Sequence, residues 1–201
     1  MILNEQQQDA LSELINIAFS RTAASLSDLT GQRVLLEAPQ VEVLPLAELG
    51  LVLDSQMQAG DIASVHQMFS GQLSGDAFLI LGYTEAVRLT SLLTEPALQS
   101  SRLDSSAREV LTEVGNILLN ACLSVFGNLL QMHITFAVPQ LRLDELQALL
   151  GSVVFDSDDV QYALIVFASF VLRDSAVNGY LVVVLGVTSL DSLIQAIERL
   201  G

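Results

Sequence analysis

One stretch near the start of the chain, DALSELIN, runs from Asp9 to Asn16 and contains the pattern from which the fold can be predicted. The pattern is Asp9-x3-Glu13-x2-Asn16, and Pro39 follows twenty-three positions after the asparagine. Spacings of four and three residues place the three polar side chains in one line along a helix. Between the asparagine and the proline, the sequence predicts the rest of a long helix, a turn and a strand.

A second copy of the pattern lies one hundred residues further along the chain. It reads Glu109-x3-Glu113-x2-Asn116, with Pro139 again twenty-three positions after the asparagine. If each residue type occupies roughly 5% of positions, Glu-x2-Asn-x22-Pro arises at about one start in ten thousand. Two copies in register within 201 residues therefore indicate an internal duplication, with repeats at residues 1–100 and 101–201.

The order of predicted elements also occurs twice. Long helices are predicted from an N-cap at Asn4 to about Leu29, before the natural stop Gly31, and from Ser105 to about Leu130. Strands are predicted at Arg33–Ala38, Val41–Leu44, Ile62–Phe69, Gly75–Leu81, Met132–Val138, Val160–Leu172 and Asn178–Val187. Two such halves predict a single α/β (α+β) domain over residues 1–201, with approximate twofold symmetry and a mixed β-sheet against which the two long helices pack.

The remaining segments are predicted as short helices and loops. Short helices are predicted from a cap at Thr84 to about Leu93, at Leu143–Leu150 (or a turn there), and after a cap at Thr188 or Ser189. The segment Leu46–Gly60 is predicted to be mostly loop, and the acidic run Asp156–Asp159 to be a solvated loop.

Composition excludes several classes of function. The net charge is −15 with eight Lys and Arg, which leaves no basic footprint for nucleic acid and favours a partner with a basic surface. The longest apolar runs, Ala163–Leu172 and Tyr180–Val187, are too short to span a bilayer, and no signal peptide is visible, so no membrane insertion is expected. Because Cys122 is the single cysteine, an intrachain disulfide is excluded, which is compatible with a reducing cytoplasm. The Cys122 side chain is expected to act as a small buried hydrophobe.

Each copy of the pattern lies in a longer polar stripe, and these stripes are the candidate functional site. The two stripes are Asp9, Glu13, Asn16 and Ser20, and Glu109, Glu113, Asn116 and Asn120. A solvated helix face is the ordinary explanation of such residues. Solvent-facing positions, however, rarely keep their identity and spacing across two diverged halves, so the stripes favour a function.

Several chemistries lack the residues that they need. His66 and His133 lie apart from any cysteine or carboxylate at ligand spacing, so no bound metal is expected. No nucleophile elbow or glycine-rich phosphate loop is present. A small-molecule enzyme with paired carboxylates would need Glu13 and Glu113 close together in one cleft, which the sequence leaves open.

A glutamate and an asparagine one helical turn apart suit the hydrolysis of a phosphoryl group. The amide can orient an attacking water, and orientation contributes much of catalysis when the transition state is loose. The carboxylate can bind a lysine or arginine of a partner and so set the docking geometry. Such a helix would be half of an active site, with the phosphate and Mg²⁺ supplied by the partner.

The stripes resemble the CheC family of chemotaxis phosphatases, in the CheC/CheX/FliY superfamily. The family pattern is Asp/Ser-x3-Glu-x2-Asn-x22-Pro, twice in most members. Both copies here match in Glu, Asn and Pro, although Glu109 stands where Asp or Ser is usual. The run Gly115-Asn116-Ile117 resembles the common Gly-Asn-Ile of the motif, whereas Ile15 replaces the glycine before Asn16, so the second copy is favoured as the working site.

This resemblance implies a protein phosphatase, a hydrolase that cleaves the aspartyl phosphate of a CheY-type response regulator in the two-component signalling of bacterial chemotaxis. The implied catalytic residues are Glu13, Asn16, Glu113 and Asn116, and the implied partner-binding residues are Asp9 and Glu109. The asparagines would orient the water, and the glutamates would pair with a regulator lysine. CheD is a further partner implied by the family. The alternative is a non-catalytic binding module for phosphorylated CheY or for CheD.

Overall fold

The computed structural model describes residues 3–37, 40–57, 60–94, 100–129, 131–154, 161–172 and 174–199. In these residues the helices are α1 Glu5–Thr30, α2 Leu46–Gln56, α3 Tyr83–Leu93, α4 Ser105–Leu129, α5 Leu146–Val154 and α6 Val187–Glu198. The strands are β1 Val34–Leu36, β2 Val41–Pro45, β3 Asp61–Gly71, β4 Gly75–Gly82, β5 Ile134–Phe136, β6 Gln140–Glu145, β7 Gln161–Leu172 and β8 Ser175–Gly186. The order α-β-β-α-β-β-α thus occurs twice.

All eight strands belong to one sheet in which the two halves interlock. The order is β1-β7-β8-β4-β3-β5, with β2 also on β7 and β6 also on β3. The first strands of each half therefore pair with the long hairpin of the other half. Val34 of β1 pairs with Leu172 of β7, and Ile134, which is the equivalent of Val34 in the second half, pairs with Gly71 of β3. Each residue of β7 is therefore equivalent to the β3 residue numbered 101 lower.

The sheet has a helical layer on each face. One core cluster contains the apolar faces of α1, α3, α4 and α6 together with alternate residues of the sheet. A smaller cluster lies under α2 and α5 on the other face. In β3, Val65 and Phe69 belong to the first cluster and Ile62 to the second, as the alternation of side chains along a strand requires.

The ends of α1 follow from its sequence. Asn4 and Gln7 form a capping box, in which each side chain accepts from the main-chain N–H of the other residue. At the other end, Gly31 adopts φ 63°, a left-handed conformation that favours glycine. The predicted boundaries of this helix are therefore confirmed, as is the α+β class with its long hairpins.

Several predictions about secondary structure and strand pairing are wrong. Leu46–Gly60 is mostly helical, because Leu46, Leu49 and Leu53 bury one helical face in the smaller cluster. The sheet is antiparallel in every pairing described, not mixed: the hairpins β3–β4 and β7–β8 join through β4 and β8, and the short strands pair antiparallel with β7 and β3. Leu143 lies in β6, so the helix predicted from there begins at Leu146.

Two short helices begin before their predicted caps. Gly82 and Gly186 occupy the N-cap positions of α3 and α6, without a side-chain cap, and Thr84, Thr188 and Ser189 lie inside the helices. Each helix begins directly where a buried strand ends, so the strand and not a capping side chain sets its start. Pro39 and the run Asp156–Asp159 lie outside the described residues.

One helix of the described chain is long and apolar enough to cross a membrane by length and composition. This is the segment Ser105–Asn128 of α4, and half of its most apolar stretch of 18 residues is buried inside the protein. Its buried side chains, among them Leu111, Leu118 and Leu123, belong to the larger core cluster. Packing inside the protein therefore accounts for the apolar character of this helix.

Candidate functional site

The two polar stripes lie on equivalent faces of α1 and α4. Residues 11–19 and residues 111–119 show the same sequence of buried, half-buried and exposed positions. The exposed stripe residues are Asp9, Glu13, Ser20, Glu109 and Glu113, and the half-buried ones are Asn16, Asn116 and Asn120. In both copies the carboxylate is therefore open to a partner, and the amide lies deeper at the edge of the helix-to-sheet packing.

In the second copy, the asparagine is held by a chain of hydrogen bonds that extends into the protein. Asn120 Nδ2 donates to Asn116 Oδ1 at 2.6 Å. Gln67 Nε2, from β3, donates to Asn120 Oδ1 at 3.1 Å and to the carbonyl oxygen of Ala137 at 2.9 Å. Ala137 lies two residues before Pro139, so the chain connects the asparagine of the motif to the segment that carries its proline.

Gln67 was not among the predicted site residues. Its side chain is 1% exposed, and its Oε1 is buried without a partner in the described structure. Leaving a buried acceptor unsatisfied costs about 1–3 kcal/mol. Gln67 is the single amide in the otherwise mainly apolar run Ile62–Phe69, which is the one sequence feature that could have drawn attention to it. The sequence does not show in which direction its side chain points.

The first copy is built differently around its asparagine. Ser20 Oγ donates to the main-chain carbonyl of Asn16 at 2.9 Å, not to its side chain. The position equivalent to Gln67 is Ala168, which is fully buried and has no polar group to offer. Among the described contacts, no side-chain hydrogen bond holds the amide of Asn16. The two copies are thus equivalent in helix position but not in the support of the amide.

Glycine before the second asparagine explains how β3 can reach the stripe. A Cβ atom added at Gly115 would lie 2.6 Å from the Cβ and Cγ1 atoms of Val65. Such a contact does not occur between real atoms, so α4 approaches β3 more closely than any other residue at this position would allow. In α1 the corresponding residue is Ile15, which is fully buried.

Asp104 holds the N-terminus of α4, as Asn4 holds that of α1. Its Oδ1 accepts from the N–H of Ala107 at 3.0 Å. This hydrogen bond is the largest cause of a lowered pKa of the Asp104 carboxyl, and a hydrogen bond from the Ser100 side chain is the second. An ionised carboxylate also interacts favourably with the positive end of the helix dipole.

Other titratable residues of the described chain do not form a second centre. No group of three or more His, Cys, Asp or Glu residues is placed to hold a metal ion in the part that the structure covers. His66 pairs with Asp76 at 2.6 Å and stacks on Phe78. Cys122 is fully buried, and burial raises the pKa of its thiol, which matches the predicted small hydrophobe.

Two clefts of the molecule lie away from the stripes. One, of about 440 Å³, lies beside Asp54, Asp61 and Glu145. The other, of about 580 Å³, is lined by residues that include Glu85 and Tyr180. Neither cleft is lined by a carboxylate of the stripes, so neither one supports the alternative of a small-molecule enzyme with paired stripe carboxylates.

Sequence comparison with known proteins identifies a relative. CheY-P phosphatase CheC of Bacillus subtilis is 26% identical over 172 residues, which cover 83% of this chain and 81% of that protein. No family model matches the chain.

Solved structures match almost the whole chain at low identity. FliY of Thermotoga maritima superposes with a TM-score of 0.77 at 16% identity, over 99% of both chains. FliM from H. pylori, in its complex with FliG, superposes with a TM-score of 0.65 at 13% identity, over 96% of this chain and 100% of that one. A CheC-like protein from Shewanella gives 0.53 at 11% identity, over 92% and 100%. These structures establish the fold.

Proposed function

We propose that this chain is a member of the CheC/CheX/FliY superfamily and that it hydrolyses the aspartyl phosphate of a CheY-type response regulator. The observation that carries the proposal is the repeated placement of an exposed glutamate and a half-buried asparagine one turn apart on α1 and α4. The similarity to a CheY-P phosphatase over 83% of the chain supports it. The site residues proposed are Glu13, Asn16, Glu113 and Asn116, with the asparagines acting on the water and the glutamates on the bound regulator.

The reaction needs an oriented water more than a strong base. An oxygen lone pair of the water forms a bond to phosphorus while the bond from phosphorus to the aspartyl oxygen breaks. The electron pair of that bond stays on the aspartate as a carboxylate, the water loses a proton to solvent, and inorganic phosphate leaves. Because the transition state is loose, an amide that holds the water in line with the breaking bond lowers the barrier without taking the proton.

Docking is assigned to the exposed carboxylates. Glu13 and Glu113 would each bind a lysine of the regulator, and Asp9 and Glu109, one turn before them, would extend the acidic contact. The net charge of −15 would accelerate encounter with a basic surface. Mg²⁺ would be brought by the regulator. The reaction is assigned to the cytoplasm, and CheD would be a second partner.

The test is the decay of a phosphorylated CheY-type regulator with Mg²⁺, alone and with the protein. Wild type, Asn16→Ala, Asn116→Ala and the double variant are compared at equal concentration. We expect wild type to accelerate the decay, Asn116→Ala to lose more of the acceleration than Asn16→Ala, and the double variant to lose all of it. Undiminished acceleration by the double variant would contradict the assignment of the asparagines.

A binding module of the same fold is the second candidate, and the FliM structures favour it. FliM of H. pylori shares this fold and was crystallised in a complex with FliG. This alternative predicts binding of the phosphorylated regulator that depends on Glu13 or Glu113, with no change in the rate of dephosphorylation. Binding measured beside the decay assay separates the two candidates.

A further inference from the structure

We propose that Gln67 and Asn120 are positioning residues that orient the Asn116 amide for the hydrolysis assigned above. The inference rests on the proposed function and adds two side chains that lie outside the repeated motif. Neither needs to touch the phosphate or the water. Both act through the 2.6 Å contact between Asn120 and Asn116 and the 3.1 Å contact between Gln67 and Asn120.

The direction of the hydrogen bonds is set at the end of the hydrogen-bond chain formed by Ala137. The carbonyl of Ala137 can only accept, so the nitrogen of the Gln67 amide must face it. The same nitrogen donates to Asn120 Oδ1, so the nitrogen of Asn120 faces Asn116. The oxygen of Asn116 therefore faces Asn120, and no described contact occupies its nitrogen.

The unpartnered oxygen of Gln67 supports this orientation of the three amides. Turning the Gln67 amide would remove both of its hydrogen bonds and bring its oxygen against the carbonyl oxygen of Ala137. The fold instead keeps Gln67 Oε1 buried without a partner in the described structure. The retention of a buried amide at that cost supports a positioning role, since the equivalent position of the other half carries the apolar Ala168.

An Asn116 nitrogen held in this way supplies a fixed donor to the site. It can donate to one lone pair of the attacking water and leave the second lone pair for phosphorus. An amide free to rotate would present its oxygen and its nitrogen in turn, so it would orient the attacking water correctly for only part of the time. The first copy has Ser20 and Ala168 in place of Asn120 and Gln67, so Asn16 lacks this support.

Three variants test the assignment. Asn120→Ser places the residue of the first copy in the second, and Gln67→Leu removes the inner amide at similar volume. Ser64→Ala is the matched control, because Ser64 is a fully buried polar residue of the same strand whose hydroxyl has no partner in the described structure. Ser64 belongs to the opposite face of β3 from Gln67. All are made in an Asn16→Ala background, so that the second copy alone is observed.

The kinetic readout separates positioning from docking. The first-order decay of the phosphorylated regulator is measured against protein concentration, which yields a maximal rate and a half-saturating concentration. We expect Asn120→Ser and Gln67→Leu to lower the maximal rate roughly tenfold to a hundredfold, as for a misaligned reacting group. The half-saturating concentration should stay the same, and Ser64→Ala should behave as its parent.

A second readout follows the amide itself. The side-chain ¹⁵N signal of Asn116, assigned by its loss in Asn116→Ala, should have an order parameter approaching that of rigid backbone, about 0.85, in the parent. The order parameter should fall below about 0.6 in Asn120→Ser and Gln67→Leu. Ser64→Ala should leave it rigid.

The outcomes are distinguishable. If the parent accelerates decay and the two variants keep its maximal rate, or change the half-saturating concentration alone, the positioning role is overturned. The same holds if the amide is equally mobile in all proteins. If the parent and wild type never accelerate decay, the phosphatase function itself fails, and the catalytic role given to the two residues fails with it, whatever the amide signal reports.

Discussion

Gly115 and Val65 lie so close that a methyl group on Gly115 would come within 2.6 Å of Val65 Cβ. The contact joins the middle of α4 to the middle of β3, one residue before Asn116 and two residues before Gln67 in their respective elements. The separation of these two backbones therefore decides whether a strand residue can reach the polar stripe. The same separation is a quantity that single substitutions can change.

Gly115→Ala should destabilise the protein and slow the proposed reaction. The added methyl group overpacks the interface between helix and strand, which costs about 1–3 kcal/mol, although alanine is the better helix former by about 1 kcal/mol. A shift of α4 away from β3 should also weaken the Gln67 contact and lower the maximal rate. Urea unfolding followed by circular dichroism measures the first effect, and the decay assay the second.

Gly50→Ala is the matched control for this prediction, since Gly50 also lies inside a helix. Its added Cβ would meet the end of the Leu150 side chain at 3.2 Å, and that side chain can move. We expect a stability between unchanged and about 1 kcal/mol higher. Equal behaviour of the two alanine variants would show that the close approach at Gly115 does not constrain the fold.

Glu113→Gln should weaken docking without changing the chemical step. Removing one exposed charge should raise the half-saturating concentration roughly tenfold at low salt while the maximal rate stays the same. Added salt should narrow the difference between wild type and the variant, because it screens the lost interaction. The decay assay at two ionic strengths provides the measurement.

Glu48→Gln makes the same charge change on α2, on the opposite face of the sheet. It should leave the half-saturating concentration unchanged. An equal loss in the two variants would mean that overall charge, and not a contact of Glu113, controls docking. A loss of maximal rate in Glu113→Gln would assign that residue to the chemical step.

Asp104→Asn should be less stable than wild type at neutral pH, with a difference that disappears in acid. The pKa of the Asp104 carboxyl lies below its usual 3.8 in the folded protein, chiefly because the Ala107 N–H donates to it. A depressed pKa contributes stability above the unfolded value, which is lost as the pH falls through the folded value. Urea midpoints of both proteins from pH 7 downward measure the effect. A difference that does not vary with pH would contradict this role.

Cys122 should react with a thiol reagent only through opening of the protein. Its side chain is fully buried, and burial raises the pKa of the thiol, so both access and the thiolate fraction are low. Labelling of the native protein should be at least about a thousandfold slower than labelling in denaturant. Fast labelling of the native protein would show that the core around α4 opens locally.

Elements whose signals are local could be predicted from the sequence. Asn4, Gln7 and Gly31 mark the ends of α1 through capping chemistry and a left-handed turn. Apolar repeats indicated both long helices and the two long hairpins, and the duplicated stripes placed Glu13 and Glu113 on open faces. These features depend on residues within a few positions of one another, so periodicity and spacing are enough to predict them.

Contacts between distant residues could be seen only in the tertiary structure. No local sequence signal predicts that β1 pairs with β7 of the other half, or that Gln67 of β3 donates to Asn120 of α4. α2 was missed because a short apolar segment has no strong cap, and its leucines fold into a helix when a sheet face is present to bury them. Strand pairing and side-chain reach depend on contacts between residues far apart in sequence. The hydrogen-bond support that distinguishes Asn116 from Asn16 therefore became visible only when α4 was packed against β3.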